Sequence, residues 1–257
     1  MADETPLAGG NASAGVVRSG ETVRKPWIAS TPAVIDYVTH VGAHGVDVPR
    51  PLGRDGRGRQ IIEFVPGRLA LGGEPLDHAG LARVGRLVRA IHDASADYAA
   101  PTGVKWDVLL PAPEADLVSA DVLGANLICH NDLAPWNLMT GERWVFIDWD
   151  GAGPSTRLWD LAYAAQSFTL NDTSIRPDVA AGRLAAFVDG YGADAALRSA
   201  LPTAVAERAA AMHDLLREAH ETGREPWGTM YLHGHGEHWR TAADYAAAHV
   251  DVWRRAL

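Results

Sequence analysis

The order of three polar residues among short apolar runs constrains the fold of this chain more than any other feature. An apolar run leads to Asp132, Asn137 follows after four intervening residues, and a second apolar run, residues 144–147, ends at Asp148. The turn-forming residues 140–143 predict a β-hairpin, and a hairpin returns Asp148 towards Asn137. Residues that are well separated in the sequence are therefore expected to share one site.

The three polar residues match the needs of phosphoryl transfer. A kinase places one carboxylate where the acceptor hydroxyl loses its proton, and it holds Mg²⁺ on the nucleotide phosphates with a second carboxylate and an amide oxygen. Asp132, Asp148 and Asn137 fit these roles in that order. An isolated Asp or Asn in a turn usually only solvates a loop. The ordered set between apolar strands favours the catalytic interpretation.

Three short motifs carry a resemblance to a known family. They are His130 to Asn137 with the spacing His-x-Asp-x-x-x-x-Asn, then Ile147-Asp148-Trp149, and then Asp160-Leu161-Ala162. In these motifs the chain resembles the aminoglycoside phosphotransferase and choline kinase branch of the protein kinase-like superfamily. The resemblance implies that Asp132 is the catalytic base or the residue that orients the hydroxyl. It also implies that Asn137 and Asp148 bind magnesium.

Other polar residues near these motifs are interpreted as supporting ones. His130 is predicted to be structural, because a catalytic-loop His in such folds holds geometry and does not transfer protons. Asp160 heads an apolar run, where an Asp most often caps a helix, and the resemblance adds that it braces the catalytic loop from behind. Asp150 either lies near the metals or solvates a loop, and the loop is favoured. Cys129 has no partner within the chain and is predicted to be buried packing.

The fold class that the resemblance implies is α+β, a bilobal protein kinase-like fold. We expect a small N-terminal lobe over residues 1–67, with an antiparallel sheet and one helix, that binds the nucleotide. A larger and mostly helical lobe over residues 68–257 is expected to carry the catalytic and substrate-binding groups. The strand that breaks at Pro66-Gly67 predicts the hinge between them.

Residues near the N-terminus are predicted to hold the nucleotide phosphates. A small, glycine-bearing loop that includes Ser13 precedes a predicted hairpin, and such a loop lets backbone N–H groups approach phosphates closely. A kinase also needs a cation on the strand after that hairpin. Arg24 and Lys25 are both candidates. Strand alternation favours Lys25, since it shares a face with the apolar Val23.

The predicted hinge and the first helix complete the expected nucleotide site. By resemblance, backbone groups around Glu63 to Val65 hydrogen-bond the adenine, although an ordinary strand end explains the same residues. The helix predicted after Ser30 takes the place of the kinase regulatory helix. It carries no Glu, so the usual Lys–Glu pair cannot form. Asp36 is its only acid, and a solvated surface position explains it equally well.

The acceptor is expected to be a hydroxylated small molecule. Only eleven residues separate Asp148 from Asp160, which is too few for the long activation segment on which protein kinases seat a peptide. By resemblance, an aminoglycoside or a related antibiotic is the first class, and choline, sugar or amino-alcohol kinases are the alternatives. Residues 221–240, rich in His, Trp and Glu, predict a substrate-facing loop. Their spacing matches no zinc motif.

Composition excludes some classes of partner. A formal net charge of −9 argues against nonspecific binding to nucleic acid. No apolar run is long enough to cross a bilayer and no signal peptide is recognised, so we expect a cytoplasmic protein without a membrane partner. The expected co-substrate is ATP or GTP with Mg²⁺. A nucleotide-binding pseudokinase is the non-enzyme alternative, and it would be expected to have lost one of the three polar residues. The sequence does not indicate the oligomeric state.

Overall fold

A computed structural model describes residues 4–7, 15–113 and 127–257 of the chain. Ser13 lies outside the described residues. The strands are β1 Glu4–Pro6, β2 Val17–Ser19, β3 Thr22–Lys25, β4 Pro51–Arg54, β5 Gln60–Glu63, β6 Arg68–Leu69, β7 Leu127–Cys129, β8 Leu138–Thr140, β9 Val145–Phe146 and β10 Gly153–Ser155. The α-helices are α1 Thr31–Ala43, α2 His78–Ser95, α3 Arg157–Ala165, α4 Pro177–Tyr191, α5 Ala195–Thr222, α6 Trp227–Met230, α7 Gly236–Ala248 and α8 Val250–Ala256.

The N-terminal part is an antiparallel sheet of five strands in the order β1-β2-β3-β5-β4. Helix α1 begins after Ser30, has Pro32 in its first turn and buries one apolar stripe that includes Tyr37. The Tyr37 hydroxyl donates a hydrogen bond of 2.7 Å to the carbonyl of Ile128 in β7. An antiparallel sheet with one helix thus precedes a mainly helical region, and the predicted α+β kinase-like fold class is confirmed.

A β-hairpin joins the predicted catalytic loop to Asp148. Strands β8 and β9 pair antiparallel, and Leu138 lies opposite Phe146. The Ile147 amide then donates to the carbonyl of Asn137 at 2.8 Å. This bond closes the ladder at the point where the chain leaves β9, so Asp148 emerges beside Asn137 as the turn pattern predicted.

Gly67 lies where the chain passes from the sheet to the helical part. It has a φ of 144°, and a Cβ atom there would lie 2.5 Å from the carbonyl oxygen of Thr140. Only glycine fits this close approach of two backbones. The assignment of residue 67 as the lobe boundary stays a prediction.

The helical part is built around α2 and α4, which pack closely. Asp77 caps α2 by accepting a hydrogen bond of 2.8 Å from the Gly80 amide. The predicted apolar stripe of α2 is buried, with Leu81, Val84 and Val88 fully enclosed. None of the helices in the described ranges is long and apolar enough to cross a membrane.

Candidate active site

Asp132 and Asn137 lie together in the loop that follows β7. Asn137 donates from Nδ2 to the Asp132 carboxylate oxygen Oδ2 at 2.7 Å and to the Asp132 carbonyl at 3.0 Å. Trp136 donates from Nε1 to the other carboxylate oxygen at 3.3 Å. A 3₁₀ turn over Pro135–Asn137 makes these contacts possible, because it returns Asn137 to the start of the loop. The sequence spacing predicted this proximity.

The donor set around Asn137 suits a hard cation. The amide nitrogen of Asn137 is committed to Asp132, so Oδ1 is the atom of this side chain left to bind a cation. Asp148 adds a carboxylate, held by a left-handed backbone with a φ of 61°. Carboxylate and amide oxygens are the ligands that Mg²⁺ prefers. The residues present therefore fit the magnesium site that the sequence predicted.

Lys25 forms an ion pair with both carboxylates of the Asp148-Trp149-Asp150 segment. Its Nζ lies 2.5 Å from Asp148 Oδ1 and 2.6 Å from Asp150 Oδ2, and the residue is only 6% exposed. Burial disfavours the charged amine, but the two carboxylates outweigh it and raise the pKa of Lys25 above its ordinary value. The favoured interpretation of Asp150 as loop solvation was wrong, because its carboxylate holds Lys25.

Arg24 and Lys25 point to opposite faces of β3. Lys25 and Val23 face a cavity of about 370 Å³, whereas Arg24 donates to the Thr22 hydroxyl on the other face. Strand alternation predicted this arrangement. Asp36 is exposed and accepts a hydrogen bond from a tyrosine, so the acid of α1 takes no part in binding Lys25.

The sheet-side cavity, as we name this space of about 370 Å³, is mainly apolar. Its walls come from β3, β5, β8 and α1 and from neighbouring loops, and they include Val16, Val23, Ile62, Val65, Met139 and Ile147. The Glu63 amide donates to the Arg50 carbonyl at 2.9 Å, and the Glu63 side chain accepts from Arg143 at 2.7 Å. The amide of Val65 has no hydrogen-bond partner among the described residues. Glu63 and Val65 both line the cavity.

His130 fixes the backbone on both sides of the site. Its ring is fully buried, accepts from the Asp132 amide at Nδ1 and donates from Nε2 to the Ile147 carbonyl at 3.1 Å. This assignment of the ring protons follows from the two contacts and requires a neutral imidazole. Burial also lowers the pKa of His130. The geometry supports the predicted structural role.

The carboxyl group of Asp132 has a perturbed acidity. Burial raises its pKa above the ordinary value; the neighbouring Asp148 adds to the increase, while His130, Tyr163 and Asn137 oppose it. A carboxylate with a raised pKa is a stronger base than a solvated one. Asp132 therefore has the acidity expected of a group that accepts a proton.

Asp160 braces the loop from behind. It is 1% exposed, and its two carboxylate oxygens accept from the Asn131 amide at 2.9 Å and from His92 Nε2 at 3.1 Å. Asn131 has a φ of 64°, a strained conformation that this contact stabilises. The capping interpretation of Asp160 was wrong, since Thr156 caps α3 through the Trp159 amide.

Asp160→Asn is expected to destabilise the protein by about 1–3 kcal/mol, because the new amide nitrogen cannot accept and one buried donor loses its partner. Urea unfolding measures the loss. The matched control is Asp178→Asn on the exposed start of α4, where only a surface pair with Arg176 is removed and the change should stay within about 0.5 kcal/mol. Equal stability of the two variants would contradict the bracing role.

Cys129 is fully buried beside Asp160 and His92. Burial raises the pKa of the Cys129 thiol well above its usual range, which disfavours the reactive thiolate. The interpretation of Cys129 as packing is confirmed by this burial.

A second and larger cavity, of about 980 Å³, opens on the helical side of Asp132. We name it the helix-side cavity. It is lined by Asp107, Asp132 and Tyr163, by Arg208 and Met212 of α5, and by Trp227, His233, His235, His238 and Trp239. Residues from the predicted substrate-facing segment 221–240 thus form one of its walls.

Sequence reasoning missed Arg208 and Tyr163. Arg208 lies on the apolar stripe of α5 between Val205 and Met212, and it is as buried as its apolar neighbours. A charged residue at a core-facing position was the signal that could have identified it. Tyr163 follows Asp160 by three residues in α3, so its ring was predicted only as part of an apolar run.

An antiparallel sheet over a helical region, with a paired Asp–Asn loop beside a second Asp, defines a phosphotransferase of the kinase-like class. The model of the Phosphotransferase enzyme family, APH, matches residues 16–199. That range is well over half of the chain. The protein belongs to this family and is a small-molecule phosphotransferase.

One curated protein and two solved structures illustrate what the chain is similar to. The Trifolitoxin immunity protein of Rhizobium leguminosarum bv. trifolii is 28% identical over 247 residues, which cover 88% of this chain and 87% of that protein. A microcompartment-associated aminopropanol kinase has a TM-score of 0.66 at 17% identity, with 100% and 95% of the two chains covered. The amicoumacin kinase hAmiN, solved with AMP-PNP, Ca²⁺ and Ami, has a TM-score of 0.64 at 15% identity, with 94% and 88% covered. At such identities the two structures show the fold alone.

Proposed function

We propose that this protein transfers the γ-phosphoryl group of ATP or GTP to a hydroxyl group of a small molecule, with Mg²⁺ as the metal. One observation carries the proposal: the two cavities meet at a shared wall of Trp136, Asn137, Asp148 and Asp150. Lys25 lines only the sheet-side cavity, and Asp132 lines only the helix-side cavity. A nucleotide in the first cavity and an acceptor in the second would meet at the candidate metal ligands.

The reaction that these positions support is an in-line displacement. The acceptor hydroxyl gives its proton to the Asp132 carboxylate as its oxygen bonds to the γ-phosphorus. The bond from that phosphorus to the bridging oxygen breaks, and the nucleoside diphosphate leaves. Asn137 and Trp136 hold the Asp132 carboxylate in position through the hydrogen bonds described above. Bound to Asp148 and Asn137, Mg²⁺ would neutralise charge that develops on the phosphates.

Lys25 and the apolar strands are proposed to hold the nucleotide. The ammonium group of Lys25 lies beside Asp148 and Asp150, where it can contact phosphate oxygens that share the metal. The Val65 amide offers a donor to the adenine edge, and the apolar walls of the sheet-side cavity offer a surface for its ring. A glycine-bearing loop with Ser13 is proposed to cover the phosphates.

Lys25→Ala is expected to lower kcat/KM for the nucleotide by about tenfold or more, the value of one charge-assisted contact. Arg24→Ala is the matched control, because Arg24 points to the opposite face of the same strand, and its kcat/KM should stay near that of the wild type. Steady-state kinetics with varied nucleotide measure both. If Arg24→Ala is the damaging change, the proposed role of Lys25 is wrong.

The proposed acceptor is an aminoglycoside or a related antibiotic, with an amino alcohol as the second class. The helix-side cavity offers the exposed carboxylate of Asp107 for an ammonium group and the half-buried ring of Trp227 as an apolar contact surface. The similar proteins are named as a Trifolitoxin immunity protein, an aminopropanol kinase and an amicoumacin kinase. These names support testing both classes first.

A nucleotide-binding titration combined with turnover tests the proposal against the pseudokinase alternative. Calorimetry with Mg²⁺·ATP is expected to show binding, and release of ADP should accelerate when a hydroxylated antibiotic or amino alcohol is added. Binding of Mg²⁺·ATP without any acceptor-dependent ADP release across both classes would favour the pseudokinase.

A further inference from the structure

Arg208 is a buried cation without a protein partner in the described ranges. It is 4% exposed, and its Nε and Nη1 atoms have no hydrogen-bond partner. No carboxylate of the described residues forms an ion pair with it, and burial lowers the pKa of its guanidinium group. A buried and unpaired charge is strongly destabilising unless another group satisfies it. We therefore expect a bound molecule to satisfy the charge of this side chain.

Aromatic rings hold the flat faces of this guanidinium group. Its central carbon lies 4.2 Å from the ring centroid of Tyr163 and 5.4 Å from that of Trp159. Cation–π contacts of this kind position an arginine but leave its N–H donors free. The Tyr163 hydroxyl, in turn, lies near the Asp132 carboxylate. Arg208 and Asp132 thus lie beside the same tyrosine within the helix-side cavity.

A purely structural arginine in this protein has different contacts. Arg183, which is also partly buried, donates to the carbonyl of Leu76 at 3.0 Å and to that of Phe168 at 3.3 Å, and only its Nε lacks a partner. Arg208 forms no such bond to the described backbone. Asp132 is not its partner either, since no hydrogen bond or ion pair joins the Arg208 nitrogens Nε and Nη1 to that carboxylate. Nε and Nη1 are enclosed, so Nη2 is the guanidinium nitrogen of Arg208 that is left for a molecule in the cavity.

We propose that Arg208 binds a carboxylate group of the acceptor while Asp132 takes its hydroxyl proton. Within the proposed classes, this narrows the acceptor to antibiotics and amino alcohols that also carry a carboxylate, including hydroxylated amino acids and peptides with a free C-terminus, and it disfavours aminoglycosides, which have none. This inference rests on the proposed function for the role of Asp132.

A singly charged carboxylate fits the site better than a phosphate or sulfate group. Asp132, Asp148 and Asp150 line the same cavity, and their charges repel a group that carries more than one negative charge. The single positive charge of the guanidinium group matches the single negative charge of a carboxylate.

Matched pairs of acceptors that differ only in the carboxylate test the proposal. L-serine is compared with ethanolamine, and short seryl and threonyl peptides with a free C-terminus are compared with their amides. Binding is followed by tryptophan fluorescence, since Trp136, Trp227 and Trp239 line the cavity, and turnover is followed by kcat/KM. The variants are Arg208→Met, which keeps the length of the chain without the charge, and Arg208→Lys. Arg183→Met controls for the loss of an arginine elsewhere.

Wild type is expected to favour the acid member of at least one pair by about tenfold or more, the effect of one charge-assisted contact. Arg208→Met should abolish this preference and leave nucleotide affinity unchanged, Arg208→Lys should reduce it, and Arg183→Met should keep it. Absence of any preference in wild type, or its persistence in Arg208→Met, overturns the proposal. Should Arg208→Met fail to fold, an unchanged preference in Arg208→Lys overturns it and a reduced one supports it.

The two readouts separate this inference from the proposed function. A binding preference that depends on Arg208, without transfer to any acceptor, would support the carboxylate site and contradict the phosphotransfer that we propose. Equal transfer to both members of every pair would support the phosphotransfer and contradict the carboxylate site.

Discussion

Asp132→Asn is expected to lower kcat for phosphoryl transfer by about 10²- to 10⁴-fold, the usual contribution of a general base. The affinity for Mg²⁺·nucleotide should stay nearly unchanged, because Asp132 lines only the helix-side cavity. The new side chain keeps one oxygen that accepts from Asn137, while the Trp136 Nε1–H loses its carboxylate acceptor. Single-turnover kinetics and a nucleotide titration measure the two effects. Substantial turnover in this variant would contradict the assignment of Asp132.

The same substitution should change how the stability of the protein depends on pH. Burial raises the pKa of Asp132 in the folded state, so folding costs free energy wherever the carboxyl group must be ionised. Because the pKa is higher in the folded state, this cost grows as the pH rises from the pKa of the unfolded state through the pKa of the folded state. In urea unfolding, the free energy of unfolding of Asp132→Asn relative to the wild type is therefore expected to be higher at neutral pH than at acid pH. A relative free energy of unfolding that is higher at acid pH would show the opposite sign of shift.

Asp148→Ala is expected to lower kcat/KM by at least about 10²-fold, the range for a group that stabilises developing charge. It should also raise the Mg²⁺ concentration needed for half-maximal rate, since Asp148 is proposed as a direct metal ligand. Asp132→Asn should leave that concentration unchanged, which separates a metal ligand from a base. Magnesium titrations of the rate provide the measurement.

Asp150→Ala is the matched comparison, because Asp150 shares Lys25 with Asp148 but was not predicted as a ligand. If the magnesium dependence shifts for Asp150→Ala and not for Asp148→Ala, the ligand assignment passes to Asp150. If the magnesium dependence of the rate is unchanged in both variants, neither Asp148 nor Asp150 is a ligand of the metal.

The sequence predicted the parts of the site that local patterns determine. The hairpin between Asn137 and Asp148 follows from strand and turn signals, and the opposite directions of Arg24 and Lys25 follow from strand alternation. The N-terminus of α1 followed from Ser30 and Pro32. In each case the residues that fix the geometry lie within a few positions of one another.

Contacts between distant segments were not predictable in the same way. The ion pair of Lys25 with Asp150 joins residues more than a hundred positions apart, so Asp150 was assigned to a solvated loop. Asp160 was assigned to a helix cap because its true partners, Asn131 and His92, come from other elements. Arg208 lies on a predicted helical stripe, but the residues that it contacts come from another helix and could not be identified from the sequence.

Mass spectrometry of acceptors incubated with the purified protein, ATP and Mg²⁺ tests the central claim most directly. The panel contains hydroxylated antibiotics, amino alcohols and hydroxylated carboxylic acids, and Asp132→Asn serves as the matched control. The account predicts that at least one acceptor gains a single phosphoryl group with the wild type and that this product is lost or sharply reduced with Asp132→Asn. No phosphorylated product from any acceptor, with Mg²⁺·ATP bound to the protein, or equal product from both proteins, would contradict it.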